Sequence, residues 1–276
     1  MPIGSRVADR LSAGLRKYQP VLAAAKSRDV NESDTSMIVT DILADVFGYD
    51  KYSEITRELC IRGTFCDLAT RIDGKFQLLV EVKAIGLDLK DAHVKQAVDY
   101  AANQGIDWVA LTNGYIWRVY RVIFAKPIDA ELVLDIDLLS LSPKNSAHLE
   151  SLHLLTRESM LKSGLHAYHD HVQATSKFHL AALLLSDPVL EVVRRELRRL
   201  SDVKVDVATL RDALKLEVLK RDVIEGDKAD VARRRVNKAG SKTLRTRRER
   251  TEPENEGTDV NADASELALT VDVEPA

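Results

Sequence analysis

Cysteine is nearly absent. The chain has only two, Cys60 and Cys66, with no CxxC spacing, which predicts small buried side chains in a reducing compartment. No run of roughly 18 apolar residues occurs, and no charged-then-apolar segment opens the chain. These absences exclude a membrane-spanning helix and predict a soluble, cytoplasmic protein with no membrane partner. No internal repeat is visible. No GxxxxGK[ST] phosphate loop occurs either, which excludes a complete ATP-driven motor of that class. An excess of one charge is also lacking, since the net charge is only -3. That average conceals an asymmetry. Between Lys228 and Arg250 there are ten Lys or Arg against two acidic residues, Asp230 and Glu249; from Thr251 to Ala276 there are eight acidic residues and no basic one. Neither block has a core-forming pattern, so both are expected to be disordered. The basic block could grip phosphates, or the acidic end could simply shield it.

What is present is a hydrophobic fraction of 45% in 276 residues, enough for one generous domain or two small ones. The most informative stretch is GTFCDLATRIDGKFQLLVEVK, Gly63 to Lys83. Thr64 to Ile72 and Phe76 to Lys83 read as strands, and Asp73-Gly74 between them is a hairpin signal. Cys66, Leu68, Thr70, Ile72, Leu78, Val80 and Val82 form an oily face; Asp67, Glu81 and Lys83 belong to the other. A two-residue loop would set Asp67 opposite Val80, on the wrong face. A three-residue loop over Asp73-Gly74-Lys75, or an equivalent bulge, sets it opposite Glu81. The three-residue loop, with Gly74 in the left-handed conformation and a bulge, is therefore expected.

Taken in order, Arg6 to Ala25 has helical apolar spacing and reads as a packing helix. A second helix, capped by Asn31 or Ser33, runs to about Phe47 and stops at Gly48. Glu54 to Ile61 reads as a strand leading into the hairpin. Asp91 to Gln104 is helical, and Gln96 and Tyr100, four apart, share a face. Trp108 to Leu111, Tyr115 to Phe124 and Glu131 to Asp137 read as further strands. A helix between two strands suggests a crossover, hence an α/β mixed sheet with helices on its faces. From Ala147 to about Lys220 the pattern is helical, with Asp187 as cap and Pro188 in the first turn of one helix. The expected division is a packing helix over 1–30, a sheet domain over 31–140, an all-helical module over 141–225 and a disordered tail over 226–276.

Two carboxylates a few ångströms apart repel unless a proton or cation intervenes. Mg²⁺ takes carboxylate and carbonyl oxygens and keeps several waters, so Asp67, Glu81 and the Val82 carbonyl would suit it. Lys83 could reach a phosphate oxygen or a water beside it, an arrangement workable for phosphodiester hydrolysis. The plainer alternative is a solvent-facing strand on which Glu81 and Lys83 form a weak surface pair. Glu32, at the start of the second helix, could simply favour the helix dipole.

Asp67, then thirteen residues, then Glu81-Val82-Lys83 resembles the motif of the PD-(D/E)xK nuclease superfamily. Gln96 to Tyr100 is similar to the QxxxY motif of RecB-type nucleases and type I restriction subunits. Thr112-Asn113-Gly114 with Trp117 and Tyr120 resembles a TNG-x-x-W-x-x-Y stretch in the N-terminal nuclease domain of type I restriction enzyme R subunits. The resemblance covers about residues 31 to 125. It implies a restriction-endonuclease-like fold and a Mg²⁺- or Mn²⁺-dependent nuclease acting on nucleic acid, DNA foremost, in restriction or defence. Asp67 and Glu81 would then bind the metal beside the Val82 carbonyl, with Glu32 as an auxiliary ligand or a group supporting the ligands from behind. Lys83 would be the catalytic lysine, while Gln96 and Tyr100 would line the site or contact nucleic acid. Two departures stand out: Cys66 replaces the proline of the motif's name, and no helicase region is present. The chain would act alone or with protein partners. The other reading is an inactive module that keeps the fold and binds nucleic acid or assembles with others.

Two further groups remain. His166, His169 and His171 cluster with Asp170, but without a cysteine or an HExxH frame a metal site there is not expected. Arg194, Arg195, Arg198 and Arg199 face away from an apolar helix stripe; Arg194 and Arg198 are candidate contacts to nucleic-acid phosphates, or part of a solvated face.

Overall fold

The computed structural model describes residues 3–61 and 64–249. Two compact units divide the chain, Met1–Ala174 and Thr175–Ala276. The first begins with α1 (Ser5–Ser27) and α2 (Glu32–Asp45). Asn31 caps α2 by accepting from the Asp34 amide at 2.9 Å. Strands β1 (Ile55–Ile61), β2 (Thr64–Ile72) and β3 (Lys75–Val82) form an antiparallel meander. Helix α3 (Asp91–Gln104) then crosses to β4 (Trp108–Thr112), which lies parallel to β3. Strands β5 (Ile116–Ile123) and β6 (Asp129–Asp137) complete a six-stranded mixed sheet in the order β1-β2-β3-β4-β5-β6. The Leu, Val and Ala runs at the sheet's centre have the look of strands covered on both sides.

Alternation along those strands feeds two cores. Leu68, Val80, Ala110 and Val119 pack with Leu11, Leu15, Leu22, Ile42 and Phe47 from α1, α2 and the turn after α2. The intervening Ala69, Leu79, Val109 and Leu111 pack with Val94, Val98 and Ala101 of α3. The hairpin face expected to be charged is therefore mostly apolar and covered by α3. Only its end carries charge, where Glu81 follows Leu79 by two positions and Asp67 precedes Ala69 by two.

The hairpin turn corrects the expected three-residue loop. Ile72 pairs with Lys75, leaving Asp73-Gly74 as a two-residue loop with φ of 50° and 79°. Both values are positive, as a type I′ turn requires, and Asp-Gly supplies them at low cost. The register then shifts between Thr70 and Arg71: Arg71 pairs with Phe76 but Thr70 pairs with Leu78, so Gln77 is the extra residue of a bulge. Turn chemistry favours one register and the buried side chains favour the other, and one bulged residue reconciles them. Beyond the bulge Leu68 pairs with Val80, which brings Asp67 level with Glu81.

Three more helices belong to this unit, α4 (Ser146–His153), α5 (Arg157–Leu161) and α6 (Gly164–Ala174). The expected boundary near residue 140 is thus too early. Leu152, Leu155, Met160 and Leu165 bury in the same core as α1 and α2, and the Arg157 guanidinium bonds Glu54 at 2.7 Å. The expected separate N-terminal helix is likewise part of the sheet unit, with Leu11 and Leu22 fully buried. Cys66 is buried; the Cys60 side chain lies outside the described residues.

The second unit contains α7 (Lys177–Leu184), α8 (Asp187–Ser201), α9 (Val207–Ala213) with a π-helical turn at Leu214–Val218, α10 (Arg221–Ile224) and α11 (Asp227–Glu249). Ser186, not Asp187, holds the cap position of α8, and Pro188 sits within its first turn. Helix α11 corrects the disorder expected from Gly226. Ala229 and Ala232, three apart, are buried, α11 packs against α7, and Arg and Lys are good helix formers. The acidic segment 251–276 lies outside the described residues. No helix among the described residues is long and apolar enough to cross a membrane.

Candidate active site

At the end of β3, strand alternation and the bulge place Asp67, Glu81 and Lys83 together. One oxygen of the Asp67 carboxylate accepts from the Val82 amide at 2.7 Å, which fixes the side chain across the two strands. The Lys83 ammonium donates to Glu81 Oε1 at 2.7 Å and lies 3.7 Å from Glu32 Oε2 at the start of α2. The side chains of Glu81 and Lys83 are only 13% and 18% exposed, whereas Glu32 is 52% exposed. This is therefore not the weak surface pair that the strand pattern alone would allow.

Burial pushes the Glu81 carboxyl above its ordinary range, and the charges of Asp67 and Glu32 push the same way. The Lys83 hydrogen bond opposes them without cancelling them. For Lys83, burial alone would lower the ammonium, but the hydrogen bond to Glu81 and the charges of Glu81, Glu32 and Asp67 together leave it raised. Lys83 is thus held protonated beside a carboxyl that keeps an unusual affinity for a proton or a cation. Perturbed pairs of this kind cluster at functional sites.

Chemically the cluster is a set of hard oxygen donors beside a cation. Asp67 has one oxygen committed to Val82, and Glu81 has one committed to Lys83. Among the described residues no three His, Cys, Asp or Glu side chains close into a metal cage. A Mg²⁺ bound through one or two carboxylates, with waters filling its remaining positions, needs no such cage. Compared with protein-family models, curated proteins and solved structures, the chain matches none.

The other expected site residues fall out differently. Gln96 is exposed, and among the described residues it makes no hydrogen bond to Asp67, Glu81 or Lys83. Tyr100 is buried in the core beneath α3. Residues four apart lie near each other on a helix, but at the edge of a buried stripe one can face solvent and the next the core. Arg194 and Arg198 belong to the second unit. They line an open groove of about 550 Å³ with Arg195, Lys204 and Glu191, and Arg194 is paired with Glu191. The histidines play a packing role. Trp108 Nε1 donates to His166 Nδ1 at 3.3 Å, so the imidazole proton sits on Nε2, 3.0 Å from Asp107 Oδ2. His169 Nε2 lies 3.2 Å from Glu131 Oε2, so both rings tie α6 to the sheet. A cavity of about 510 Å³, lined by His153, Lys162, Tyr168 and His171 among others, contains none of the Asp67, Glu81 or Lys83 side chains.

Sequence reading missed the surroundings of Lys83. Its amide donates to the Thr112 carbonyl at 2.8 Å, so β4 holds the lysine's backbone directly. The Thr112-Asn113-Gly114 turn just beyond was visible only as a motif. Gly114 has φ of 90°, and a Cβ there would come within 3.3 Å of Leu22 and 3.4 Å of Thr35. A close-packed turn of left-handed backbone therefore sits beside the site, and only glycine fits it without strain.

Proposed function

We propose that the chain is a Mg²⁺- or Mn²⁺-dependent nuclease that hydrolyses phosphodiester bonds, with DNA as its substrate, on a sheet of the restriction-endonuclease-like kind. The observation that carries this reading is the half-buried cluster in which Asp67 stands level with Glu81 and the Lys83 ammonium sits 2.7 Å from Glu81. Asp67, Glu81 and the Val82 carbonyl would hold the cation, with Glu32 able to join from α2. When bound, the cation supplies Lewis-acid polarisation of a phosphate oxygen and a bound water of lowered pKa. Lys83, kept protonated, donates a hydrogen bond to a phosphate oxygen or orients the attacking water. Asp67, fixed by the Val82 amide, keeps its second oxygen turned to the same task. Resemblance to type I restriction subunits supports a role in restriction or defence in the cytoplasm, alone or with protein partners. Purified protein incubated with plasmid DNA, with RNA and with Mg²⁺ or Mn²⁺ tests the proposal; failure to cut any of them under all conditions would sink it.

One observation favours a second reading. Lys83 and Glu81 already satisfy each other, as a purely structural pair would. An inactive module that binds nucleic acid, with Arg194 and Arg198 as candidate contacts, predicts salt-sensitive binding that Asp67→Ala leaves unchanged.

The proton affinity of Glu81 gives the reading a pH signature. A divalent cation competes with that proton, so cation binding and cleavage should rise as pH climbs through the elevated Glu81 value. Stability should move the opposite way. A group with a raised pKa in the folded state contributes stability below its unfolded value and loses it as pH rises through the folded one. Glu81→Gln should therefore melt higher than wild type at about pH 8 and match it at about pH 4, in the absence of metal. Thermal melts at the two pH values, beside cation titrations of the wild type, make the check.

A further inference from the structure

The segment joining Lys83 to α3 is held along its length by side chains from the β4–β5 turn and β5. Asn113, 1% exposed, donates from Nδ2 to the Leu87 carbonyl at 3.0 Å and to the Ile85 carbonyl at 3.3 Å. Its Oδ1 accepts from the Ile116 amide at 3.0 Å, so the donor cannot turn away. Arg118 donates from Nη1 to the Leu89 carbonyl at 2.7 Å, and its Nε is braced by Asp135 at 3.2 Å. The Tyr120 hydroxyl donates to Asp91 Oδ1, in the first turn of α3, at 3.1 Å. Burial, with the Asp91 hydrogen bond, pushes Tyr120 up to about 12, so it remains a donor at any working pH. The points of attachment are residues 85, 87, 89 and 91. The first two lie in the turn that the Leu87 amide closes on the Ala84 carbonyl at 2.9 Å, and the last opens α3.

We propose that Asn113, Arg118 and Tyr120 are positioning residues: a three-residue clasp that holds 85–91 at four points and sets Lys83 and the start of α3 relative to Asp67 and Glu81. This rests on the nuclease reading for its consequence, though not for its geometry. Lys83 has its own amide fixed by the Thr112 carbonyl and its C-terminal side leading into the clasped segment, so its ammonium inherits the precision of both. Small misplacements of such a group are expensive in rate, about 100-fold for 1 Å.

The test uses the full-length chain and three variants, Asn113→Ala, Arg118→Ala and Tyr120→Phe. Tyr120→Phe deletes one hydroxyl and is the mildest should Asn113→Ala fail to fold. Hydrogen exchange is followed over 84–91 and, as control, over α1. Plasmid cleavage supplies kcat and KM, and the rate of acylation of Lys83 by an amine-reactive ester is read by peptide mapping. Expected are exchange over 84–91 faster by about tenfold or more with the control unchanged. Expected with it are a kcat lower by about 10- to 100-fold at nearly constant KM, and faster acylation of Lys83. Arg118→Lys, which keeps one donor, should recover part of the loss. Unchanged exchange in every variant that folds overturns the clasp. Faster exchange with kcat and Lys83 acylation both unchanged overturns its positioning role. If the wild type cuts nothing, the nuclease reading fails, and the clasp then stands or falls on exchange and Lys83 acylation alone.

Discussion

Lys83→Ala should lower metal-dependent cleavage by at least about 1,000-fold while leaving the fold in place. Among the described residues the ammonium is the one cation within 4 Å of Glu81, and it supplies the charge that faces the scissile phosphate in the proposed reaction. Its loss should not unfold the sheet, because the raised carboxyl of Glu81 can take up a proton instead of standing as an unpaired buried charge. Asp67→Asn makes the cleaner companion. The amide oxygen can still accept from the Val82 amide, so the strand crossing survives while the ligand charge goes. Both variants should retain wild-type circular dichroism and lose cleavage together. A double variant, Glu81→Gln with Lys83→Met, removes both charges at once; its stability should stay within about 1 kcal/mol of wild type, with no activity. Cleavage by Lys83→Ala within about tenfold of wild type would remove the lysine from the reaction.

Trp117→Ala should cost about 3–5 kcal/mol, the largest stability loss expected from a single substitution in the sheet. The indole is fully buried and meets the Phe47 ring edge-on at 5.3 Å, joining β5 to the turn after α2. Its Nε1–H also donates to the Gly114 carbonyl at 3.0 Å, so it braces the turn that carries Asn113. For a unit of this size the melting temperature should fall by roughly 2–4 °C per kcal/mol, or about 6–20 °C in all. Trp117→Phe keeps most of the ring contact and loses the hydrogen bond, which should cost about 1–2 kcal/mol. A fall in melting temperature of less than about 3 °C for Trp117→Ala would mean that the site closes around the cavity, contrary to the packing described.

The β2–β3 hairpin shows where local pattern was sufficient. Period-two alternation, Asp-Gly punctuation and the requirement that Leu68, Val80 and Val82 be buried together already demanded that Asp67 stand level with Glu81. The pairing of Leu68 with Val80 meets that demand. What sequence could not choose was the device. A three-residue loop and a two-residue turn with a bulge satisfy the same parity, and only the strain of the whole ladder selects between them. The α3 boundaries and the Asn31 cap were equally legible, because apolar spacing and capping chemistry are local. Domain limits were not. Whether α4, α5 and α6 join the sheet depends on which core their leucines find, and α11 is ordered by burial of Ala229 and Ala232 against a distant helix.

By itself the sequence determined the alternation that gathers two carboxylates and a lysine at the end of one strand. It also determined the absence of a phosphate loop and the polar residues available to the site. Tertiary structure decided their state. It buried Glu81 and Lys83 to 13% and 18% exposure, brought Glu32 to 3.7 Å of the ammonium and turned Asn113, Arg118 and Tyr120 onto the segment that follows Lys83. Parity is a property of a single strand, read two residues at a time. Burial, proton affinity and the clasp are made by residues tens of positions apart, and only the folded chain brings them within reach.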